Sequence, residues 1–468
     1  MSHKKTNRKL VTVGLLAALF IGALDGTVVN TAMKTIGEDL NGFALISWIF
    51  SIYTLTTCVT TPIFGKLADL FGRKSIFTIG LVLFLVGSVL CGAAQSMTEL
   101  IWFRAIQGIG AGALTPVTFT IIGDLYTGEQ RGKVQGVLAS MWSIAGLVGP
   151  FVGGYFVDTI SWRWIFFMNV PVSIVSFILV FGSLHERFSK VRATIDYAGA
   201  ATFTIGVSSL LLALLTGGGE GKHAWDSTYI LSLFAIAALF LVVFLFIERK
   251  AKEPMLPLEL FRNRTLTVAY ALGFFGFCIV AGVTLYIPMW VQTVMNLSAT
   301  KSGLMLMPMS MTWPIASNLS GRYMFRFGAK VFMVMGTVLL VLGTLWLITL
   351  NIGTPYWHVI GIVSIIGFGM GCINTPAILS IQNAASDSQR GVATSTSSFM
   401  GTLGQTVAVA VFGMLLNRHV VGEGTQVQFA DGMHLIFIAV FAIAIFKVFL
   451  SGALPRKRKA SVEADGSV

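Results

Sequence analysis

With 468 residues, 55% of them apolar and only 11% charged, this chain carries more apolar surface than a soluble domain can hide, and its mean hydropathy is +0.81. That composition excludes a soluble enzyme or binding module and indicates an all-α polytopic membrane protein embedded in a lipid bilayer. The net charge of +12 is not a nucleic-acid footprint, because no solvated basic domain accompanies it.

A spanning helix needs about 20 apolar residues. In chain order, the apolar runs predict fourteen spans: 10–32, 44–64, 75–95, 99–122, 134–157, 163–184, 197–216, 228–247, 266–290, 302–320, 331–350, 356–381, 392–415 and 433–453. The first run has no small-residue cleavage site after it and is expected to act as its own uncleaved insertion signal. With fourteen spans both termini share one side, and 25 Lys and Arg fall there, from Lys4 through Arg73, Arg131, Arg249 and Arg390 to Arg456–Lys459. The other side receives five: Lys34, Arg163, Lys222, Lys301 and Arg418. This split assigns both termini to the cytoplasm. Arg104 and Lys447 lie within spans. Cys58, Cys91, Cys278 and Cys372 sit in apolar runs without metal-ligand spacing and read as packing residues.

Asp25 is the anomaly in the first span. A carboxylate at such a position costs on the order of 2.5–3.5 kcal/mol even on lenient insertion scales. Every other acid lies in a loop, a tail or near a span end. Counting rises of 1.5 Å per residue, Asp25 and Arg104 both fall about 9–11 Å below the outer surface, so the two charges can share a cavity. The same arginine also suits a snorkelling or helix-locking role.

The two ends of the chain resemble each other. The stretch from Gly65 to Lys74 recurs, degraded, from Gly321 to Lys330. The pattern Gly108-x-Gly110-x-Gly112 followed by Gln130-Arg131-Gly132 recurs as Gly367-x-Gly369-x-Gly371 followed by Gln389-Arg390-Gly391. The near-equal offsets predict two six-helix halves (1–196 and 265–453), two inserted transmembrane helices (197–250), a connector (251–264) and a tail (454–468). Repeated halves around a midplane site are the plan of secondary transporters. Between spans two and three, Gly65 and Gly72 permit a tight turn. Asp69 can face a helix N-terminus, and Arg73, beside Lys74, can pair with Asp124. Such a cluster can latch the halves together; a solvated basic turn uses the same residues, and the partial repeat favours the latch. In span five, Gly149, Gly153 and Gly154 bare a stripe for a neighbouring helix, and Pro150 removes a backbone hydrogen bond. That pattern suits a hinge or seam as well as plain small-residue packing. Aromatic and sulfur-bearing residues form candidate substrate walls: Trp48, Tyr53, Phe275, Tyr286, Met309 and Trp313, with Asn30 and Gln107 as polar contacts. No P-loop, metal cluster or Ser-His-Asp arrangement stands out, so the chain is not expected to be an enzyme and no cofactor is implied.

The Gly65–Lys74 stretch resembles the signature of the major facilitator superfamily between spans two and three. Leu100-x-x-x-Arg104-x-x-Gln107-Gly108-x-Gly110 resembles its span-four motif associated with proton transfer. The run from Ala145 to Gly154 resembles the span-five motif of its antiporters, with Ala145 where Gly is usual. Leu24-Asp25-x-Thr27-Val28-Val29-Asn30-x-Ala32 resembles the span-one motif of the fourteen-span drug:proton antiporters. The resemblance covers nearly the whole chain. It implies a major facilitator fold with 14 transmembrane helices, in the plasma membrane of a bacterium, acting as a monomer. It implies proton-coupled export of lipophilic, often cationic drugs, with Asp25 and Arg104 in proton coupling and Asp25 also meeting the substrate. The alternative within the superfamily is a proton-coupled metabolite symporter or a uniporter.

Overall fold

The computed structural model describes residues 6–41, 45–186, 196–218, 223–251, 253–297, 299–417 and 426–454. The N-terminal half is built from α1 (Arg8–Asp39), α2 (Ile46–Phe71), α3 (Arg73–Ala93), α4 (Met97–Leu125), α5 (Gly128–Thr159), α6 (Trp164–Phe167) and α7 (Asn169–Ser183). After these come α8 (Tyr197–Thr216) and α9 (Thr228–Lys250), then a 3-10 turn, Leu258–Arg262. The remainder comprises α10 (Arg264–Thr293), α11 (Ala299–Leu304), α12 (Met307–Phe327), α13 (Ala329–Ile348), α14 (Tyr356–Ala384), α15 (Arg390–Asn417) and α16 (Gln426–Gly452).

Twelve of these helical segments are long and apolar enough to cross a bilayer. The two long helices outside that set are α2 and α12. Each carries charge near its C-terminal end, Lys66 and Asp69 in one, Arg322 and Arg326 in the other. The fold is an all-helical bundle in which satisfied backbone groups stay within each helix, as a lipid environment requires. Two of the predicted spans are interrupted. Residues 163–184 divide at Met168 into α6 and α7, and the segment around 302–320 divides at Met305 and Leu306 into α11 and α12.

The stretch between α2 and α3 is almost wholly helical, where a loop was expected. Nothing from Gly65 to Phe71 breaks a helix, so α2 runs on to Phe71 and the chain turns at Gly72 alone, with φ +90°. Gly328 makes the same turn between α12 and α13, with φ +91°. Only glycine enters that region without strain.

Helix contacts rest on small residues. In α4, a Cβ on Gly110 would lie 2.2 Å from the Phe84 nitrogen and 2.6 Å from the Gly80 oxygen of α3. Across the bundle, Gly132 of α5 and Gly321 of α12 touch backbone to backbone, and so do Gly65 of α2 and Gly391 of α15. These two crossings are repeat-related. Helices α8 and α9 pack on each other at Gly206 and Leu241, and Phe203 of α8 meets Phe244 of α9 and Phe399 of α15. The connector is tied down by Lys66 to Glu253 at 2.9 Å and by the Leu256 amide donating to Glu248.

Gly110→Leu therefore forces α3 and α4 apart at a backbone contact no rotamer change can relieve. We expect a loss of at least about 1–3 kcal/mol, the scale of core overpacking. Membrane abundance and thermal unfolding in detergent, compared with Gly154→Ala, check this, since a Cβ at Gly154 meets nothing within 4 Å.

Candidate functional site

Asp25 lies inside the N-terminal bundle with its side chain fully enclosed, and so does Arg104. Helix α1 supplies the carboxylate and α4 supplies two partners one turn apart. Arg104 Nη1 donates to Asp25 Oδ2 at 2.6 Å, and Gln107 Nε2 donates to Asp25 Oδ1 at 2.8 Å. Arg104 Nη1 also donates to Gln107 Oε1 at 2.8 Å, and its Nε to the Ile49 carbonyl of α2 at 3.3 Å. The guanidinium lies 4.1 Å from the Tyr53 ring centroid. Asn169, at the start of α7, reaches Asp25 Oδ1 at 3.5 Å and donates to Ser88 Oγ at 2.9 Å. Ser88 in turn donates to the Phe166 carbonyl, and Cys91 lies 3.7 Å from Gln107 Oε1. A charge pair removed from water is favourable only when its remaining lone pairs and protons are satisfied; α2, α4 and α7 supply hydrogen-bonding partners here, while Arg104 Nη2 has none among the described residues.

The structure thus gathers Asp25, Arg104, Gln107 and Tyr53. Trp48 is half-buried on α2, five residues before Tyr53. The side chains of Asn30 and Pro150 lie outside the described residues. The other wall candidates lie in the second half, away from Asp25. Phe275 packs on Phe274 and Phe446, Tyr286 on Phe412, and Trp313 on Phe277, while Met309 is buried where α12 crosses Gly367. Sequence reasoning did not select Asn169, Ser88 or Cys91. Asn169 was the findable one, as a lone amide in an otherwise apolar predicted span.

Helix α5 joins the Asp25 site to the rest of the bundle. A Cβ on Gly149 would lie 2.1 Å from Thr27 Oγ1, and Thr27 donates to the Ala145 carbonyl at 3.2 Å. Gly153 is buried; Gly154 faces open space. Toward its other end, α5 meets α12 at Gly132–Gly321 and Gly136–Asn318.

A second polar cluster closes the end of the bundle that carries Arg8, Gly72 and Leu454, here called the basic end. Asp69 accepts from the Gly391 and Val392 amides at 3.0 and 2.9 Å, so its carboxylate sits on the N-terminus of α15. An anion there meets unpaired amides and the favourable end of the helix dipole. Arg73 pairs with Asp69 and Asp124 at 3.2 Å each and donates to the Asp387 carbonyl at 2.7 Å. Arg390 reaches back to Asp124 at 2.6 Å, and Arg131 crosses to Asn383 at 2.8 Å. Glu186 accepts from the Arg73 and Lys74 amides, capping α3. Arg131 and Arg390 occupy equivalent places in the repeated Gln-Arg-Gly motif, and that repeat was the signal for both. At the opposite end the Trp162 indole and the Arg163 guanidinium donate to Asp39, and these hydrogen bonds hold its carboxyl below the usual carboxylate range.

A family model described as Major Facilitator Superfamily matches residues 15–409. The chain belongs to the Major Facilitator Superfamily. It is 40% identical over 414 residues to multidrug transporter protein MdtP of Bacillus subtilis (strain 168), covering 88% of this chain and 76% of that protein. It is 37% identical over 412 residues to multidrug resistance protein 3 of the same organism, covering 88% of this chain and 80% of that protein. Among solved structures it superposes on the human organic anion transporter MFSD10 (TETRAN) with a TM-score of 0.65 at 14% identity, covering 95% of this chain and 98% of that one. It also superposes on the proton:xylose symporter XylE with a TM-score of 0.66 at 14% identity, covering 94% of each chain. The chain is a multi-pass membrane transporter, and the motif resemblance to the drug-exporting branch agrees with the names of its two Bacillus relatives.

Arg104→Ala leaves the Asp25 carboxylate enclosed without its counter-charge, a loss of about 3–5 kcal/mol by the usual cost of breaking a buried pair. Combining Asp25→Asn with Arg104→Gln is expected to cost less than the sum of the single changes. Thermal unfolding of the four proteins in one detergent measures the coupling. At the basic end, Asp69→Ala removes the acceptor from the α15 N-terminus. A cysteine introduced by Ser395→Cys, buried opposite Gly65, is then expected to react with a water-soluble maleimide several-fold faster than in the Asp69 background.

Proposed function

We propose that this transporter exports lipophilic, mostly cationic or amphiphilic drugs in exchange for protons by alternating access. The observation that carries the reading is the Asp25 network: the one carboxylate deep in a span, held by Arg104, Gln107 and Asn169. Asp25 holds the proton in one phase and gives up its partners to the substrate in another. With one deep acid, proton and cationic drug compete directly for it. Tyr53, whose ring lies against the Arg104 guanidinium, offers an aromatic face to a lipophilic cation, and Trp48 on the same helix is a second candidate wall. Relatives named for multidrug transport and resistance support the substrate class.

The chain crosses the plasma membrane of a bacterium fourteen times, with α2 and α12 included and α6–α7 and α11–α12 each forming one crossing. Residues 1–196 and 265–453 are the rocking halves, 197–250 the inserted pair, 251–264 the connector and 454–468 a cytoplasmic tail. Both termini are cytoplasmic by the distribution of Lys and Arg, which makes the basic end the cytoplasmic gate. In the conformation described, Asp69, Arg73, Asp124, Arg131 and Arg390 hold that gate shut, and α5 carries motion between the gate and Asp25. The proton gradient supplies the driving force without a cofactor, and the monomer is the working unit.

Asp25→Asn keeps the hydrogen-bonding shape of the side chain and removes the ionisable group. Cells carrying it, at matched membrane expression, are expected to lose ethidium and quinolone efflux. A protonophore should abolish efflux by the wild type and change nothing further in the variant. Undiminished export by Asp25→Asn would sink the reading.

A further inference from the structure

We propose that Lys447 is a binding site for an anionic group, a substrate carboxylate or a small inorganic anion, in the second half of the transporter. Lys447 sits in α16 with no exposure, and its ammonium nitrogen has no hydrogen-bonding partner among the described residues. Its three N–H donors are aimed at α10, where Nζ would lie 2.9 Å from a Cβ on Gly276. Among the described residues, no carboxylate of this half lies near it. Helices α10 to α15 contain no Asp or Glu, and the one acid of α16, Asp431, is sixteen residues away, about 24 Å along the helix. The titratable group facing it is the Cys278 thiol of α10, which donates to the Gly404 carbonyl of α15. Lys330 of α13 is engaged with the Gly452 and Leu454 carbonyls, and Arg390 of α15 belongs to the basic-end cluster.

A buried amine with no protein acceptor does not keep a charge in isolation, and an anion from outside the chain supplies the partner that lets it carry one. A route exists. A cavity of about 30 Å³, lined by Leu272, Gly273, Phe277, Met370, Ile373 and Ser397, lies between α10, α14 and α15. Met370 lines this cavity and also contacts the Gly276 position, 3.2 Å from a Cβ there. One bare glycine and one flexible thioether therefore form the partition between amine and cavity, and Met side chains repack readily. The cavity widens when the halves part and the acid group of a ligand reaches Nζ past Met370. Resting on the export reading above, this assigns amphoteric drugs to the substrate range: the cationic end goes to Asp25 and the acidic end to Lys447.

The test measures equilibrium binding to the full chain in nanodiscs by tryptophan quenching, so it needs no proton gradient and survives a failure of proton coupling. The probes are a zwitterionic fluoroquinolone and its methyl ester, in chloride and in gluconate. Lys447→Met is expected to weaken binding of the acid by about tenfold or more, the scale for deleting one partner of a buried charge pair. The ester is expected to bind unchanged, and Lys447→Arg to retain the preference for the acid. Ester binding that requires chloride in the wild type and loses that requirement in Lys447→Met identifies an inorganic anion as the ligand. Equal loss for acid and ester with no chloride dependence overturns the proposal, as does no loss for either. Thermal unfolding and ethidium binding separate a misfolded variant from a specific one.

Discussion

The architecture depends on one enclosed ion pair. Asp25 and Arg104 meet at 2.6 Å with neither side chain exposed. Two charges withdrawn from water do not stabilise a fold by attraction alone, because desolvation offsets the Coulomb gain. What makes the pair tolerable is its surroundings. Gln107 serves both partners, the Ile49 carbonyl accepts from Nε, and Asn169 ties the carboxylate to Ser88 and so to the α6 backbone. These contacts fix the mutual positions of α1, α2, α4 and α7. A change of charge at Asp25 would alter the fit of four helices together, and the proposed proton coupling rests on that leverage.

The basic end uses a different device. Glycine-lined crossings bring backbones together at Gly65–Gly391 and Gly132–Gly321, and the charged side chains then close over them. The crossings follow the internal repeat, but the charges do not. Asp69 sits on the N-terminus of α15, whereas its repeat partner Phe325 lies against Gly132 near the N-terminus of α5. One crossing is latched by a carboxylate on a helix dipole; the other is held by packing. Under the alternating-access proposal, the first is the crossing whose release depends on charge and hydration, and the second is the pivot.

Much of this was legible in the sequence because hydrophobic length and glycine spacing are local signals. The repeat located both glycine turns and both Gln-Arg-Gly motifs, and equal depth along two spans placed Asp25 level with Arg104. The length of α2 past Gly65 was not legible from the motif, since the boundary is set by the absence of a breaker before Gly72. Asn169 was missed because an amide in a predicted span carries no charge to flag it, and its importance arises only from the proximity of α7 to α1. The substrate walls were the weakest expectation. Aromatic residues on α10 and α12 are enriched equally by core packing and by ligand contact, and periodicity cannot tell which face of a buried helix looks toward Asp25. Phe275 illustrates this, turned onto Phe446 of α16.

The two devices are joined by α5. Gly149 packs on Thr27, two residues from Asp25, and Gly132 and Gly136 pack on Gly321 and Asn318 of the other half. These contacts leave little room for movement in side chains, since a Cβ on any of these three α5 glycines would lie within 2.4 Å of a neighbour. A shift of α1 is therefore passed to α5 as a rigid displacement, and from α5 to the seam with α12. Interfaces packed this tightly change between discrete arrangements instead of deforming smoothly. If Asp25 exchanges partners as proposed, the small residues of α5 are the elements that carry that change to the far end of the bundle, where Asp69 and Arg390 bind the start of α15 to the first part of the chain.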